Sequence, residues 1–512
     1  MKKIIIIYIN VVLVLGFFIP LHPDTGPVFD PARDGWYFEN EGREGLSWDL
    51  FRKTYIGINP TKDCVAAPLD CAFYELFKDS GKNGVCGGMS ILALALYKYG
   101  GYMGYCSPAK FYTGVLGPDR ADLYDAISII QARQFSASGI RNFLDVIDAG
   151  NLNNAHAAFN AVKENLGKSD YPVISLAKNA VGEDAHILIP YKVEELGVTK
   201  IMYLWDPNHP FDDDPNDYGG ASYNGNNKMI ISSPTNWTYR AYSGSGSGGA
   251  WCFCIPMSKV LVKSRHPMTL DMVFTALMTV FVKGTGSAIT QVTDNEGHRL
   301  FKEGQPGVPE TDPSRRLKGA AKWAWFGQTG GGFPGDLIFI RRENGQNIPL
   351  NITVSGGKYE AFLMASGNLV KLDSLSTEFA TDVIKFDAVS SAVQSVELET
   401  TGVKRMVSVM QLRTGTTQKE WRRFDVKNLA VTRDTPVMIH ATENFKSIQV
   451  SGKNKPVSFD LEIQQRMNNK TTIKTIQKLT VDTGKVLKMA PKDWDKLDKT
   501  DIVKETFDKE KK

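Results

Sequence analysis

The chain has 512 residues, which is too long for one compact core, so we expect two to four domains. Its hydrophobic residues (42%) and charged residues (23%) occur in the proportions of ordinary soluble globular domains. The formal net charge of +4 is close to balanced, which excludes the strongly basic composition typical of nucleic-acid-binding proteins and gives no reason to expect an anionic membrane as partner.

Residues 1–22 predict a signal peptide or an N-terminal anchor. Lys2 and Lys3 precede a nearly unbroken apolar stretch over residues 4–21, which is the layout of a secretory signal. No clear cleavage site follows, and about 18 apolar residues can just span a bilayer, so a retained anchor stays open. In either case we expect a secreted or cell-surface protein that touches the membrane only through this segment.

Residues 35–267 mix helical and strand patterns, and we assign them to one domain of the α+β class. Short helices are predicted over residues 70–78 and 90–99, and Ser138 is placed to cap a third helix. Apolar residues at helical spacing mark this third helix and a fourth one, in the stretches GIRNFLDVIDAG and NNAHAAFNAVKENLG.

An antiparallel sheet is predicted after these helices. Three β-rich stretches are separated by turn-like breaks, namely YPVISLAKN, AHILIPYKVEE and TKIMYLWDPN. A later stretch, NWTYRAYSGSGSGGAWCFCIPM, predicts a hairpin with a flexible tip rich in glycine and serine. The domain is therefore expected to have a helical half followed by a sheet half.

The remainder of the chain is predicted to be largely β-structure. The stretch MTLDMVFTALMTVFVKG, which leads into it, predicts a helix or a buried linker. Short alternating runs divided by turns then favour a β-sandwich domain over residues 287–390 and a second β-rich domain over residues 391–487. The dense charge of residues 488–512 predicts a solvated tail or a terminal helix.

Six cysteines are present, and disulfides are permitted in an exported chain. Cys64 and Cys71 are seven residues apart and could form a bridge. Cys252 and Cys254 alternate onto one face of a predicted strand, where a direct bond would be strained. The chain contains no CxxC motif and no paired histidine spacing, so no metal site is predicted, and no other cofactor is indicated.

Cys86 has the best local setting for a thiol that is kept free for chemistry. It lies between glycines at the start of an apolar run, in the stretch GKNGVCGGMSILALALYKYG. The thiolate is the nucleophilic form of cysteine, and the unpaired N–H groups at a helix N-terminus favour this anion. The glycines at positions 84, 87 and 88 would leave room for a substrate backbone. From this stretch alone, a buried structural cysteine in a glycine-rich turn is an equally good interpretation.

Two strand ends further along the chain supply a base and a carboxylate. His186 opens one predicted strand, and Asp206 ends the next, 20 residues later. Because neighbouring antiparallel strands can bring such ends together, Asp206 could bind one imidazole nitrogen and leave the other to face the thiol. The three residues would then be a nucleophile, a general base and an orienting group.

These motifs resemble those of the papain-like cysteine peptidase superfamily and, within it, of the peptidases that trim double-glycine leader peptides and their exported relatives. The matching stretches are GVCGGMS at a helix start, AHILIPY at a strand start and YLWDPNHP at the end of the next strand. The resemblance covers roughly residues 35–265 and implies a papain-like domain with Cys86 as nucleophile, His186 as general base and Asp206 as the residue that orients the imidazole. Asn208 is the alternative for the third role, because papain itself uses asparagine there.

The sequence departs from the family pattern at the oxyanion site. Family members place a glutamine a few residues before the cysteine, and this chain has no glutamine before Cys86. Asn83 carries the nearest side-chain amide and could replace it, with the backbone N–H of Cys86 as the second donor. A role for Asn83 as an ordinary turn residue is an equally good interpretation.

The leading hypothesis is an exported cysteine hydrolase that cleaves peptide or isopeptide bonds through a thioester, with a peptide or protein as substrate. The β-rich half would hold it near a large substrate or a cell-surface ligand. Transglutaminase-like acyl transfer uses the same residue order and stays open, although the 100 residues between Cys86 and His186 are long for that core. A catalytically inactive surface binding protein with a peptidase-like fold also stays open, because the glutamine is missing and the β-rich half is large.

Overall fold

The structure of the chain is a computed structural model. It describes residues 28–42, 45–82, 84–109, 112, 121–179, 184–210, 226–244, 250–266, 277–284, 287–323, 335–341, 349–365, 368–390, 393–414, 420–442 and 445–508. The predicted signal peptide or anchor, Asn83 and the tip of the predicted hairpin at residues 245–249 lie outside the described residues.

All eight α-helices of the described residues lie before residue 262. They are α1 (Pro31–Asp34), α2 (Trp48–Thr54), α3 (Pro68–Phe77), α4 (Cys86–Tyr99), α5 (Ala121–Arg133), α6 (Ala137–Asp148), α7 (Ala155–Asn165) and α8 (Met257–Leu261). The side chains of Ser47, Ser136 and Asn154 cap the first turns of α2, α6 and α7. The cap of α6 is therefore Ser136, and the predicted cap, Ser138, lies inside the helix.

No described helix combines the length and the apolar character that crossing a membrane would need.

Seven antiparallel strands form the main sheet of the first domain. After a short pair, β1 (Gly101–Tyr102) and β2 (Tyr105–Cys106), they are β3 (Pro172–Ala177), β4 (His186–Leu196), β5 (Thr199–Trp205), β6 (Lys228–Ser233), β7 (Asn236–Tyr239), β8 (Tyr242–Ser243) and β9 (Trp251–Pro256). Their spatial order is β8-β7-β6-β5-β4-β3-β9. The three predicted β-rich stretches are β3, β4 and β5, which pair consecutively as expected.

The predicted hairpin across the glycine- and serine-rich segment is wrong. β7 pairs with β6 and β8 at one edge of the sheet, whereas β9 pairs with β3 at the opposite edge. Most residues of β9 are buried, as are all residues of β3. An apolar strand of this kind is better accommodated beside another buried strand than beside β7, in which alternate residues are exposed.

The second half of the chain folds into two large antiparallel sheets. Its strands are β10 (Leu277–Lys283), β11 (Ala288–Asp294), β12 (Ala320–Trp323), β13 (Gly335–Arg341), β14 (Leu350–Gly356), β15 (Tyr359–Ala365), β16 (Asn368–Ser374), β17 (Ala380–Ser390), β18 (Val393–Thr400), β19 (Arg405–Thr414), β20 (Trp421–Val431), β21 (Val437–Thr442), β22 (Ser447–Gly452), β23 (Val457–Met467), β24 (Lys470–Val481), β25 (Lys485–Pro491) and β26 (Ile502–Asp508). The nine-stranded sheet has the order β12-β13-β10-β15-β16-β19-β20-β23-β24, and the eight-stranded sheet has the order β11-β14-β17-β18-β21-β22-β25-β26. Buried side chains of both sheets join in one apolar cluster, which is the arrangement of a β-sandwich.

The predicted boundary between two β-domains, at residues 390 and 391, falls between β17 and β18, which are neighbours in the same sheet. One buried cluster runs from Met278 in β10 to Leu497, beyond β25. In the described residues, the second half is therefore one sandwich with one core and not two consecutive domains.

Most of the predicted charged tail is also part of the sandwich. β25 and β26 pair along their whole length, so the prediction of a solvated tail or terminal helix is wrong for residues 488–508. β26 is the last strand of the eight-stranded sheet. Dense charge suits such an edge strand, because its outer face is solvated and its charges discourage pairing with other chains.

The segment predicted as a helix or buried linker forms a central strand where it is described. β10 lies between β13 and β15 in the nine-stranded sheet. Val280, Phe281 and Val282 are consecutive and all buried, so both faces of the strand are covered. A continuous apolar run of this kind cannot be distinguished from a buried helix by periodicity alone.

The nine-stranded sheet packs against the first domain. Phe339 of β13 belongs to the apolar cluster of that domain. The indole N–H of Trp421 donates to the carbonyl oxygen of Val65 over 2.6 Å, and Arg341 forms an ion pair of 2.6 Å with Asp145 of α6. The sandwich and the first domain therefore share a buried contact with polar links.

Candidate functional site

Helix α4 begins at Cys86 itself, before the predicted start at residue 90. Val85 precedes it in the capping position, and its backbone N–H donates to Oδ1 of Asn40 over 2.6 Å. Cys86 is only 1% exposed, so the thiol lies inside the domain. The local sequence thus places the thiol at the N-terminus of a buried helix, as predicted.

Two neighbouring strands bring His186 and Asp206 together. His186 is the first residue of β4, and Asp206 follows the last residue of β5. The register pairs Ile189 with Trp205, so the start of β4 lies beside the end of β5. Nε2 of His186 and Oδ1 of Asp206 are 2.6 Å apart, and both residues are buried.

Further hydrogen bonds fix the orientation of the Asp206 carboxylate. Oδ1 also accepts the backbone N–H of Asn208 over 2.9 Å, and Oδ2 accepts the hydroxyl of Tyr239 over 3.0 Å. Nε of Arg240 lies 3.7 Å from Oδ2. Donors on both oxygens and a neighbouring positive charge favour the ionised carboxylate despite its burial.

The charges of the buried pair oppose the effect of burial on protonation. Burial alone would raise the pKa of Asp206, but the charge and hydrogen bond of His186 and the Asn208 N–H hold that pKa well below its usual range. Burial alone would lower the pKa of His186, but the charges of Asp206 and Cys86 and the hydrogen bond to Asp206 raise it to about 10. The imidazole is therefore protonated at neutral pH.

Cys86 completes a line of three side chains. It lies beside His186, and its charge helps to raise the pKa of the imidazole. Since Nε2 of the imidazole faces Asp206, Nδ1 is the nitrogen that remains for the sulfur. Thiol, imidazole and carboxylate follow one another in the order that nucleophilic catalysis by a thiol requires.

Tyr242 of β8 lies against this line. Its ring is nearly parallel to the His186 imidazole, with centroids 6.3 Å apart, and its hydroxyl donates to the carbonyl oxygen of Asp184 over 2.9 Å. Burial and the nearby charges of Cys86 and Asp206 raise the pKa of the Tyr242 hydroxyl well above its usual value. Tyr242 therefore contributes to the apolar, largely closed surroundings of the thiol.

The alternative third residue, Asn208, is engaged elsewhere. Its Oδ1 accepts a hydrogen bond from Nδ2 of Asn40 over 2.8 Å, and the residue is exposed. Of the two candidates for the third role, Asp206 is the one that bonds the His186 ring. Asn83, the oxyanion candidate, lies outside the described residues.

Two of the glycines beside Cys86 permit close packing within the domain. A Cβ on Gly88 would lie 2.2 Å from the carbonyl oxygen of Ile127 in α5, and a Cβ on Gly87 would lie 2.3 Å from Nε2 of Gln134. Both positions therefore face neighbouring protein atoms and not an open groove, contrary to the interpretation that they leave room for a substrate backbone.

Replacing Gly88 with alanine is expected to destabilise the domain more than replacing Gly87. The new methyl group at position 88 would collide with a backbone carbonyl of α5, whereas that at position 87 would meet the flexible end of Gln134. We expect Gly88→Ala to lower the free energy of unfolding by about 1–3 kcal/mol or more. Urea denaturation of both variants measures the difference, and equal stability of the two would contradict the packing described here.

The other cysteines leave the Cys86 thiol free. Cys64 and Cys71 form a disulfide, the bridge that their spacing made possible. Cys106 is free and exposed, and two further free cysteines lie in β9. Cys86 is thus a free, buried thiol beside a charged imidazole.

The sequence does not predict the contacts of Asn40, Tyr239 and Tyr242 with the site. Asn40 is separated from Cys86 by 46 positions, and nothing in its neighbourhood distinguishes it from an ordinary turn asparagine. The sequence does indicate a strand at the two tyrosines, because the stretch NWTYRAY, which precedes the glycine- and serine-rich segment, has the aromatic residues typical of strands.

No protein-family model, curated protein or solved structure matches the chain. The assignment of a function therefore depends on the chemistry of the site.

Proposed function

We propose that the chain is an exported papain-like cysteine hydrolase that cleaves peptide or isopeptide bonds. The observation that carries the proposal is the buried line of Cys86, His186 and Asp206, in which the imidazole is hydrogen-bonded to Asp206 and lies beside the Cys86 thiol. A nucleophile, a base and an orienting carboxylate in this order meet the requirements of thiol catalysis.

The construction of the domain supports the papain-like assignment. The thiol begins α4 in the helical half, while the imidazole and the carboxylate come from β4 and β5 in the sheet half. The hydroxyl of Ser90 in α4 donates to the carbonyl oxygen of Ile187 over 2.9 Å, which ties the helix to the strand that carries the base. The reacting groups thus come from two separate parts of the chain that share one apolar core.

In the first step of the proposed reaction, Cys86 has passed its proton to His186, and the resulting thiolate attacks the carbonyl carbon of the scissile bond to form a C–S bond. The proton held by His186 passes to the departing amine, the C–N bond breaks and a thioester remains. Asp206 stays ionised throughout. Its carboxylate stabilises the imidazolium before this transfer and does not take up the proton itself. The backbone N–H of Cys86, at the start of the helix, is a candidate donor to the oxyanion.

The second step restores the enzyme. Neutral His186 accepts a proton from water as the oxygen adds to the thioester carbonyl. The C–S bond then breaks, the carboxylic acid product leaves, and the sulfur of Cys86 again lies beside a protonated imidazole. Water is the only co-reactant that this sequence consumes.

The Cys64–Cys71 disulfide supports export, because disulfides persist in oxidising compartments. The β-sandwich is joined to the first domain by shared apolar packing and by contacts such as the partly buried Trp421–Val65 hydrogen bond. We therefore propose that the sandwich moves with the catalytic domain and holds it near a large substrate or a cell-surface ligand.

A peptidyl vinyl sulfone tests the proposal on the native protein, with the modified residue identified by mass spectrometry. We expect one adduct at Cys86, formed faster than any adduct at the exposed Cys106, because within the described part of the chain Cys86 is the free cysteine that lies beside an imidazole. Cys106 therefore serves as an internal reference for reaction by exposure alone. Modification of Cys106 with none at Cys86 would contradict the proposal.

A catalytically inactive binding protein is the second candidate, and the closure of the site favours it. Cys86, His186 and Asp206 are 1%, 3% and 2% exposed, so a substrate reaches the thiol only if neighbouring side chains move. In a binding protein the three residues would serve as a buried polar network that specifies the core. Failure of the vinyl sulfone to modify Cys86 would favour this candidate.

A further inference from the structure

Asn40 connects the two chain segments that carry the ends of the candidate triad. Its Oδ1 accepts the N–H of Val85, the residue before Cys86, over 2.6 Å. Its own backbone N–H donates to the carbonyl oxygen of Pro207, the residue after Asp206, over 2.9 Å. Nδ2 donates to Oδ1 of Asn208 over 2.8 Å. One residue thus bonds the entrance of α4 and the loop that follows β5.

The backbone conformation at Gly84 allows Asn40 to lie close to the chain before Cys86. Gly84 has a φ of +132°, in a region that residues with a Cβ rarely adopt. A Cβ at this position would lie 2.8 Å from Nδ2 of Asn40. The glycine therefore allows both the backbone turn and the close approach of the amide.

A second link holds the same helix one turn further along. Ser90 bonds the carbonyl oxygen of Ile187, next to His186, over 2.9 Å. Ser90 therefore sets the distance between the body of α4 and β4, while Asn40 sets the position of the first residue of α4 relative to the Asp206 loop. The sulfur lies between these two links.

We propose that Asn40 is a positioning residue that holds the Cys86 sulfur within hydrogen-bond reach of the His186 imidazole, an inference that rests on the proposed function. Its effect runs through Val85: without the Oδ1 acceptor, the capping residue loses its hydrogen bond and the first turn of α4 is free to shift. A displacement of about 1 Å at a reacting group can lower a rate about 100-fold.

The experiment is an NMR titration of His186 in protein labelled at its histidine rings, together with the rate of Cys86 alkylation by iodoacetamide. In Asn40→Ala, we expect the pKa of His186 to fall toward the value measured in Cys86→Ala, because the sulfur no longer contributes. We also expect alkylation of Cys86 to slow by about 10- to 100-fold.

Asn208→Ala is the matched control. It removes the partner of Nδ2 but leaves the bond between Asn40 and Val85, so we expect the His186 titration and the alkylation rate of the wild type. Asn40→Asp is the second variant, because its carboxylate keeps the acceptor for the Val85 N–H while the Asn208 amide can turn to donate to it. We expect its alkylation rate to be close to that of the wild type.

The outcomes separate this inference from the proposed function. Equal pKa values of His186 in the wild type and in Cys86→Ala would show that the thiol and the imidazole are not coupled, and would overturn the proposed function. A difference between those two, with a folded Asn40→Ala that titrates and reacts like the wild type, would overturn the role of Asn40 alone. If Asn40→Ala does not fold, the test is Asn40→Asp, which keeps the acceptor for the Val85 N–H. Slow alkylation of Cys86 in a folded Asn40→Asp would then overturn the role of Asn40.

Discussion

Replacing Cys86 with alanine is expected to abolish hydrolysis, with kcat lowered by about 10⁶-fold, because removal of the nucleophile removes the thioester route. The measurement is the release of fluorophore from a panel of fluorogenic peptides that the wild type cleaves. The thermal stability of the variant should stay close to that of the wild type, since the change removes a single buried atom.

Cys252→Ala is the matched control for this variant. Cys252 is also free and buried, but burial raises the pKa of its thiol well above the ordinary value, so it is expected to be inert. The control should keep full activity. Activity that survives in Cys86→Ala, or that is lost equally in both variants, would exclude Cys86 as the nucleophile.

Replacing Asp206 with asparagine is expected to lower the free energy of unfolding by up to about 3–5 kcal/mol at neutral pH, because the protonated His186 loses its buried counter-charge. The pKa of His186 should fall, since burial lowers it and the charge of Asp206 no longer compensates. The proton needed by the departing amine would then be scarce at neutral pH, and hydrolysis should fall with it.

The contribution of the His186–Asp206 pair to the free energy of unfolding is expected to depend on pH. The pKa of His186 is raised from 6.5 to about 10, so its contribution to stability is complete below pH 6.5 and is lost as the pH rises through about 10. The pKa of Asp206 is lowered from 3.8, so its contribution is present above pH 3.8 and is lost on strong acidification. Urea denaturation between these limits should show wild-type stability declining above pH 6.5 by more than that of Asp206→Asn.

Asp70→Asn is the control, because Asp70 of α3 and His266 form a second buried pair of 2.8 Å that involves no candidate nucleophile. This variant should be destabilised but should keep the reactivity of Cys86 toward the vinyl sulfone. Loss of that reactivity in both variants would mean that the effect of Asp206→Asn is general destabilisation and not the loss of a specific partner.

The core of the candidate site could be predicted because each of its members stands at the end of a regular element. Cys86 begins a helix, His186 begins a strand and Asp206 closes the next strand, and antiparallel pairing joins the last two. The distance between His186 and Asp206 follows from the short-range rules of strand pairing. The order of the elements, helices first and a sheet second, follows from the same patterns.

Contacts between distant segments could not be predicted in this way. Asn40 bonds Val85, 45 positions further on, and Pro207 and Asn208 much later, through turns that have no periodic pattern. β9 and β7 are close in sequence, yet they pair at opposite edges of the sheet, because burial and not proximity decides the neighbour. These features depend on tertiary packing that a single sequence does not encode locally.

The division of the β-rich half was predicted incorrectly for a similar reason. Alternating strands identify a sandwich, but they do not reveal which sheet each strand joins.

The burial of Arg405 could not be predicted either. Its charge suggests an exposed position, but the residue is 1% exposed and is paired with Asp382 at 3.1 Å. Its guanidinium also donates to backbone carbonyl oxygens, including those of Gly356 and Ala380. A buried ion of this kind is recognisable only from its partners.

The coupling of thiol, imidazole and carboxylate is tested most directly by the NMR titration of His186 in the native, full-length protein. The ring signal of His186 is identified as the one that is missing from the spectrum of His186→Gln, and its chemical shift is then followed against pH. We predict that the imidazole stays protonated through neutral pH and loses its proton at about 10. A midpoint at or below the ordinary value of about 6.5 would show that the buried charges do not meet at this ring, and would contradict the proposed site.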